Sequence, residues 1–364
     1  MLFHSTIRKE LARSFGATLI VLVTIVMTMM LIRTLGQAAS GSVNPSEVGL
    51  FLGYTMVGGL HIVLTMSLFI AIVSTLSRMY LDSEMVIWQA SGVGLVKFLK
   101  PLFSFSWPIF VFTTVLVLVL WPWSNQQMQE LRNRFEARGD LERVSPGEFQ
   151  ESSNGLRVFF VEKNGSQQED ARNVFIAATD HDKKAMTSAQ LGRINIINDE
   201  RFLILSHGQR VEKTNGETDV KISQFETYGT KISNNAKING DRHPTTIGSW
   251  ELFNTPTQRN LGELAWRLGM SWAAVNLFIL ALTITSANPR VGRGGNLALA
   301  LFIFVAYFNM INIGQGWISN GKVSFWNLII FMHGGMTCLA IALLAARHNN
   351  WSWRRLIAMR QAAA

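Results

Sequence analysis

The sequence predicts an α-helical membrane protein with six transmembrane helices, three before and three after an inserted all-β, jellyroll-like domain. Crossing a bilayer takes ~20 predominantly apolar residues, and six stretches without a formal charge approach or exceed that length. They are residues 14–32, 48–77, 101–129, 268–289, 294–321 and 323–346. The segment between the third and fourth stretches is polar and charged, which is typical of a domain folded in water.

These stretches divide the chain into three regions. Residues 1–124 hold transmembrane helices 1–3, with a short helix in a loop at about 80–92. Residues 125–266 form the inserted domain, which opens with a helical stretch leaving the membrane. Residues 267–364 hold transmembrane helices 4–6 and a tail.

The distribution of basic residues predicts the orientation. Short loops next to transmembrane helices carry excess Lys and Arg on the cytoplasmic side. Such residues cluster on one face, at Arg8, Lys9, Arg13, Arg78, Lys97, Lys100, Arg290, Arg293, Arg347, Arg354, Arg355 and Arg360, whereas the first loop on the opposite face, 34–47, has none. Both termini are therefore expected in the cytoplasm and the inserted domain outside it. The net charge of +9 belongs mainly to this face, and no basic groove interleaved with aromatics indicates a nucleic acid.

The inserted domain reads as a series of short strands. Runs rich in Val, Ile and Phe begin near residues 155, 173, 193, 201, 211 and 220, and turn signals such as 163–165 and 214–216 separate several of them. Short strands at this spacing are typical of a sandwich or jelly roll. The only cysteine, Cys338, lies in the sixth apolar stretch, so packing rather than disulfides is expected to stabilise the domain.

Motifs for catalysis are missing from the sequence. There is no phosphate-binding P-loop, no His-Glu-x-x-His or paired-cysteine metal motif, and no Gly-x-Ser-x-Gly. We therefore expect no catalytic residue, metal or cofactor in this chain. His61 and His333 lie within apolar stretches, where helix packing is favoured over a functional role.

The loop at 78–100 has the pattern of a docking helix. Leu81, Met85 and Trp88 fall at positions i, i+4 and i+7, on one face of a helix. Asp82 or Ser83 is suited to cap its start, and Glu84 would face the N-terminal dipole favourably. A helix with an apolar stripe and an acidic N-terminus is expected to dock to another protein rather than to lie among lipid head groups.

Two loop motifs and the three-plus-three layout carry a family resemblance. The first motif comprises residues 80–85 and 90–92, and the second comprises residues 288–293. Through these motifs and its layout, the chain resembles the LptF/LptG permeases of lipopolysaccharide export over essentially its whole length. Residues 31–36 and 122–124 are more similar to the LptF branch. The resemblance implies that the loop helix, with Leu81, Glu84, Met85 and Trp88, seats in a groove of the ATPase LptB. It also implies an inner-membrane heterodimer with LptG, two copies of LptB, and LptC as the next periplasmic carrier.

Candidate substrate contacts lie in the first and fifth stretches, which in this family border the entrance for lipopolysaccharide. Arg33 is suited either to bind a lipid A phosphate through its forked guanidinium or to anchor the helix end. Family members often carry a lysine one turn earlier, where this chain has Met30. Asn309, Asn312 and Gln315 share a stripe that either joins helices or lines a cavity. Arg267 is interpreted as an interfacial anchor.

The function expected from these features is that of a transporter permease subunit. It would extract lipopolysaccharide from the inner membrane, while a separate partner subunit hydrolyses ATP. The alternative is a membrane sensor or scaffold with a ligand-binding outer domain, which would need a cytoplasmic output domain. A lipid-modifying enzyme is a third alternative, but the sequence offers no convergent catalytic residues for it.

Overall fold

A computed structural model shows two compact units along the chain. It describes residues 2–39, 43–137, 149–151, 157–160, 162, 171–180, 183–197, 200–214, 219–233, 242–285 and 292–348. The helical unit draws on the ranges Met1–Leu35, Val48–Gln129 and Arg242–Ala364. The β unit draws on Gly36–Glu47 and Glu130–Asp241.

The helical unit contains six helices long and apolar enough to cross a membrane, which confirms the predicted number within the described residues. We name them spans 1 to 6 in chain order: Ser5–Ala39, Val48–Leu81, Leu95–Arg134, Gln258–Ile284, Gly294–Ser319 and Phe325–His348. Span 4 begins at Gln258, whereas the sequence analysis started the second membrane region at residue 267. A short helix, Ser249–Asn254, precedes it.

Spans 2 and 4 form the centre of the helical unit. In their most apolar 18-residue windows, 61% and 67% of residues are buried, whereas none is buried in that window of span 1. Small residues on span 4, such as Gly262, Gly269 and Ala273, let neighbouring helices approach closely. Span 1 from Ile20 onward has an exposed apolar surface that also includes Met29 and Ile32.

Two spans contain π-helical turns. In span 3, helix Leu99–Val115 passes through a π-helical segment, Leu116–Leu120, into helix Trp121–Ala137. In span 6, Phe325–Leu328 passes through Ile329–Gly334 into Gly335–His348. A π turn interrupts the regular i→i−4 ladder and leaves backbone groups for other partners.

The described part of the β unit contains six strands: β1 Phe149–Glu151, β2 Arg157–Phe160, β3 Ala171–Asp180, β4 Lys183–Ile197, β5 Glu200–Thr214 and β6 Val220–Ser233. They form one antiparallel sheet in the order β1-β2-β3-β4-β5-β6. The inserted all-β domain is thus confirmed. Among the described strands each pairs with its neighbour in sequence, which is a meander, so they do not include the Greek-key connection that characterises a jelly roll.

The core of the β unit lies on one face of its central strands. Val174, Ile176, Ala189, Leu203 and Leu205 are buried together and pack against further aromatic side chains from β6. Asn173 and His207 have positive φ values of 46° and 52°. These irregular points in β3 and β5 interrupt the alternation of side chains between the two faces of each strand.

Candidate functional sites

The loop helix spans Glu84–Ala90 and follows span 2 after a tight turn. The prediction that Asp82 or Ser83 caps it is wrong, because Ser83 is left-handed with φ 59° and forms no side-chain cap. The helix is followed by Gly92, which has a positive φ of 85°. The N–H groups of Gly92 and Val93 donate to the carbonyls of Gln89 and Trp88 at 3.0 Å each, which is a Schellman motif.

The four residues predicted to contact an ATPase do not share one exposed face. Met85 is fully buried in the core of the helical unit, and Trp88 packs against that core half-buried. Leu81 is 46% exposed. The larger exposed apolar side chains are Val86 at 60% and Ile87 at 68%. The predicted stripe is therefore mainly the inward face, because Met85 and Trp88 hold the loop helix against its own chain.

Glu84 takes part in a carboxylate cluster around Arg78, which we call the Arg78 cluster. Arg78 donates from Nη1 to Asp82 at 2.8 Å and to Glu84 at 2.9 Å. Its Nε donates to Glu10 near the start of span 1. One guanidinium thus links spans 1 and 2 to the loop helix. Arg78 is 34% and Glu84 is 40% exposed, so each ion pair contributes at most ~1 kcal/mol.

Arg33 lies on the exposed surface of span 1 and makes no ion pair within the described residues. One turn earlier, the Cε atom of Met30 lies 2.6 Å from the position that a Cβ at Gly59 of span 2 would occupy. The missing side chain at Gly59 therefore accommodates Met30 between the two spans. Arg33 itself remains open to a ligand or to lipid head groups.

The three polar residues of span 5 have separate environments. Asn309 is exposed and donates to the carbonyl of Val305 in its own helix at 2.8 Å. Asn312 accepts from Nε1 of Trp266 at 2.9 Å, and Gln315 donates to Glu263 at 2.9 Å. Both latter residues join span 5 to span 4, as the helix-joining interpretation predicted. Asn309 and Asn312 are both exposed, and Asn312 is also held by Trp266 of span 4.

A buried ion pair in span 4 is the best-satisfied polar site of the helical unit. Nε of Arg267 donates to Oε1 of Glu263 at 2.9 Å, and the two side chains are 0% and 2% exposed. Glu263 also accepts from Nε1 of Trp121 on span 3 and from Gln315 on span 5, at 2.9 Å each. The interpretation of Arg267 as an interfacial anchor is wrong, because its guanidinium is enclosed by protein.

The remaining donors of Arg267 bind the segment 244–249. Nη1 donates to the carbonyl of Ile247 at 2.9 Å and to Oγ of Ser249 at 2.8 Å. Nη2 donates to the carbonyls of Pro244 and Thr245 at 3.2 and 3.3 Å. With the bond to Glu263, all five N–H groups of the guanidinium have acceptors.

The Ser249 hydroxyl connects this segment to the π-helical turn of span 3. It donates to the carbonyl of Leu118 at 2.6 Å, a backbone group inside Leu116–Leu120. We refer to Trp121, Glu263, Arg267, Gln315 and Ser249 together as the Arg267 junction. It joins spans 3, 4 and 5 to the chain that enters span 4.

A second polar cluster joins spans 4, 5 and 6. Nδ2 of Asn276 donates to the hydroxyl of Tyr307 at 2.9 Å, and that hydroxyl lies 2.8 Å from Nδ1 of His333. His61 on span 2 packs its ring edge-on against Trp121 and Trp266. The packing role predicted for both histidines fits this geometry. Within the described residues, no group of three His, Cys, Asp or Glu side chains is placed to hold a metal.

Sequence reasoning missed the Glu263 site altogether. The signal was present as a Glu and an Arg four residues apart at the start of an apolar helix, where an intramembrane charge needs a partner. Because the membrane boundary was placed at residue 267, Arg267 was assigned to the membrane region and Glu263 to the inserted domain. Trp121, Ser249 and residue 247 could not be associated with them from spacing, because they come from distant parts of the chain.

The six spans and the inserted sheet define a multi-pass membrane protein with a β domain between its third and fourth spans. The chain belongs to the family described as lipopolysaccharide export system permease LptF/LptG, whose model matches residues 6–346. It is 26% identical over 306 residues to the lipopolysaccharide export system permease protein LptF of Escherichia coli K12, covering 82% of each chain. The LptF proteins of E. coli O157:H7 and Shigella flexneri match to the same extent.

Family membership settles the general function. The chain is a permease subunit of lipopolysaccharide export and a multi-pass protein of the inner membrane. The family match also covers the two segments that carry the resemblance noted in the sequence.

Proposed function

We propose that this permease extracts lipopolysaccharide from the inner membrane using ATP hydrolysed by a separate subunit bound at the loop helix. The single observation that carries this proposal is the loop helix itself. It is fixed on its inner side by buried Met85, and it presents Val86 and Ile87 outward at 60% and 68% exposure. A short, rigidly held helix with an exposed apolar face is suited to fill a groove on a partner.

The proposed partners are those that membership of the family implies. A dimeric LptB-like ATPase would bind from the cytoplasm, and an LptG-like permease would pair with this chain in the membrane. An LptC-like protein would receive the lipid outside. The excess of basic residues near one set of span ends supports cytoplasmic termini and a periplasmic β unit. The exposed apolar surfaces of spans 1 and 5 are suited to face the second permease and the lipid.

The structure changes which loop residues we expect the ATPase to contact. Leu81, Val86 and Ile87 would provide the apolar contact, while Met85 and Trp88 would keep the helix in place from the inside. Glu84 would contact both its own chain and the partner, because its carboxylate binds Arg78 and its side chain is still 40% exposed. A basic residue of the partner would therefore share Glu84 with Arg78.

Arg33 is the residue that we propose to bind a phosphate of lipid A. Its guanidinium is exposed near the outer end of span 1, next to an apolar surface suited to acyl chains. The fork of an arginine matches the oxygens of a phosphate bidentately. Asn309 is an exposed polar residue of span 5 whose side chain bonds within its own helix, and we propose that it assists Arg33. Asn312 and Gln315 would shape this region by joining spans 4 and 5 rather than by direct contact.

Co-purification tests the proposal. The full chain, solubilised in mild detergent, should bring down an ATPase and a second permease. Ile87→Glu should abolish ATPase recovery while the second permease is retained, because a charge on the exposed apolar face disrupts docking. Val96→Glu is the matched control, since Val96 is a 41% exposed apolar residue at the start of span 3, near the loop helix in sequence but outside it. Equal ATPase recovery from both variants would contradict docking at this helix.

A further inference from the structure

The Arg267 junction holds a part of the chain that carries no transport role in the proposal above. Residues 244–249 connect the β unit to span 4 in sequence, since β6 ends at Ser233 and span 4 begins at Gln258. Three carbonyls and one hydroxyl of this segment accept from Arg267.

The junction is also tied to three different spans. Through Glu263, Arg267 is connected to Trp121 of span 3 and Gln315 of span 5, and through Ser249 to the carbonyl of Leu118. Leu118 lies in a π-helical turn, and such turns occur frequently at functional sites. Any change in the relative positions of spans 3, 4 and 5 must therefore alter the acceptors around Arg267.

We propose that Arg267 is a positioning residue that fastens residues 244–249 to the helix bundle, so that movements of spans 3 to 5 reach the chain returning from the β unit. The proposal rests on the proposed ATP-driven function, because that function supplies the movement. Glu263 pairs with Arg267 and orients its guanidinium, and Ser249 links the segment to span 3. The buried position of both charges excludes water from competing for these hydrogen bonds.

An ion pair with only a structural role would behave differently. Replacing a buried pair by apolar side chains of similar volume is often neutral for stability. The double variant Glu263→Leu/Arg267→Met would then preserve both folding and export. For a fastening role, the same variant keeps the helix bundle but releases residues 244–249, and export is lost.

Spin labelling measures the release of the segment directly. Gly248 suits a label because a Cβ there would meet nothing within 4 Å, and replacing Cys338 by serine leaves Gly248→Cys as the single thiol. The label should be more mobile in the double variant than in the otherwise unchanged chain. A label at Gly53 of span 2, also with open space at its Cβ, should be unchanged.

A milder pair of variants isolates the link to span 3. Ser249→Ala removes the hydroxyl that binds both Arg267 and the Leu118 carbonyl, without touching the ion pair. Ser271→Ala is its control, because that hydroxyl bonds only the carbonyl of Arg267 within its own helix, at 3.3 Å. We expect Ser249→Ala to raise label mobility and reduce export several-fold, with ATPase association retained, and Ser271→Ala to do neither.

Two results would overturn the inference. Unchanged mobility at residue 248 in the double variant shows that Arg267 does not hold the segment. Raised mobility with full export shows that the fastening does not serve transport. Failure of the ATP-driven proposal is recognised separately, because Ile87→Glu would then leave ATPase association and export intact while the mobility result stands.

Discussion

Removing one member of the buried ion pair should be the most destabilising single change in the helical unit. In Glu263→Leu the guanidinium of Arg267, 0% exposed, loses its only carboxylate. Nε1 of Trp121 and the amide of Gln315 lose their acceptor in the same step. Breaking a buried pair by removing one partner costs ~3–5 kcal/mol, because an uncompensated charge remains.

The double variant Glu263→Leu/Arg267→Met should cost less than Glu263→Leu alone, because it leaves no charge in the apolar interior. Unfolding of wild type, Glu263→Leu, Arg267→Met and the double variant in mixed micelles, with increasing SDS, measures four free energies of unfolding, which together give the coupling between the two residues. We expect the coupling to exceed ~2 kcal/mol, since most of the single-variant cost is the stranded charge. Additive effects of the two substitutions would refute the buried-pair reasoning.

Three further changes test other parts of the account. Arg33→Ala should weaken lipopolysaccharide crosslinking to span 1, with only partial recovery in Arg33→Lys, because an ammonium cannot pair bidentately; equal crosslinking in Arg33→Ala and wild type would favour an anchor. Glu84→Lys should reduce ATPase recovery, and adding Arg78→Glu should restore the intrachain pair without restoring recovery; full restoration would show that Glu84 acts only through Arg78. Gly269→Ala should lower the free energy of unfolding by ~1–3 kcal/mol, because its Cβ would lie 2.6 Å from Nε2 of His333; an unchanged unfolding curve would contradict this tight packing.

The number of spans could be predicted because length and the absence of charge suffice to recognise a transmembrane helix. Their boundaries were harder where the helix begins with polar residues. Span 4 starts at Gln258 and includes Glu263 and Arg267, both of which lie outside an uncharged stretch. A charge pair that is satisfied inside the protein makes a transmembrane helix look shorter in sequence than it is in the structure.

The loop helix shows why a pattern gives a face but not its direction. Leu81, Met85 and Trp88 have helical spacing, and the helix exists at Glu84–Ala90. The same spacing fits a face that packs inward and a face that binds a partner. Met85 is fully buried against its own chain, so this face of the helix packs inward.

The strand pattern gave the inserted sheet but not its connections. Alternation cannot distinguish a meander from a jelly roll, because the two differ in which strands pair rather than in the strands themselves. The irregular points at Asn173 and His207 also interrupt the alternation within single strands.

The polar side chains of span 5 were predicted as one group, yet Gln315 binds the ion pair of span 4 and Asn309 is exposed.

ATP-driven release of lipopolysaccharide from proteoliposomes tests the central claim most directly. The complex recovered with this chain is reconstituted with lipopolysaccharide, and release to a soluble acceptor is followed with and without ATP. We predict release only with ATP, its loss in Ile87→Glu, and wild-type release in Val96→Glu. Release that is independent of ATP, or unchanged in Ile87→Glu, would contradict a permease driven through the loop helix.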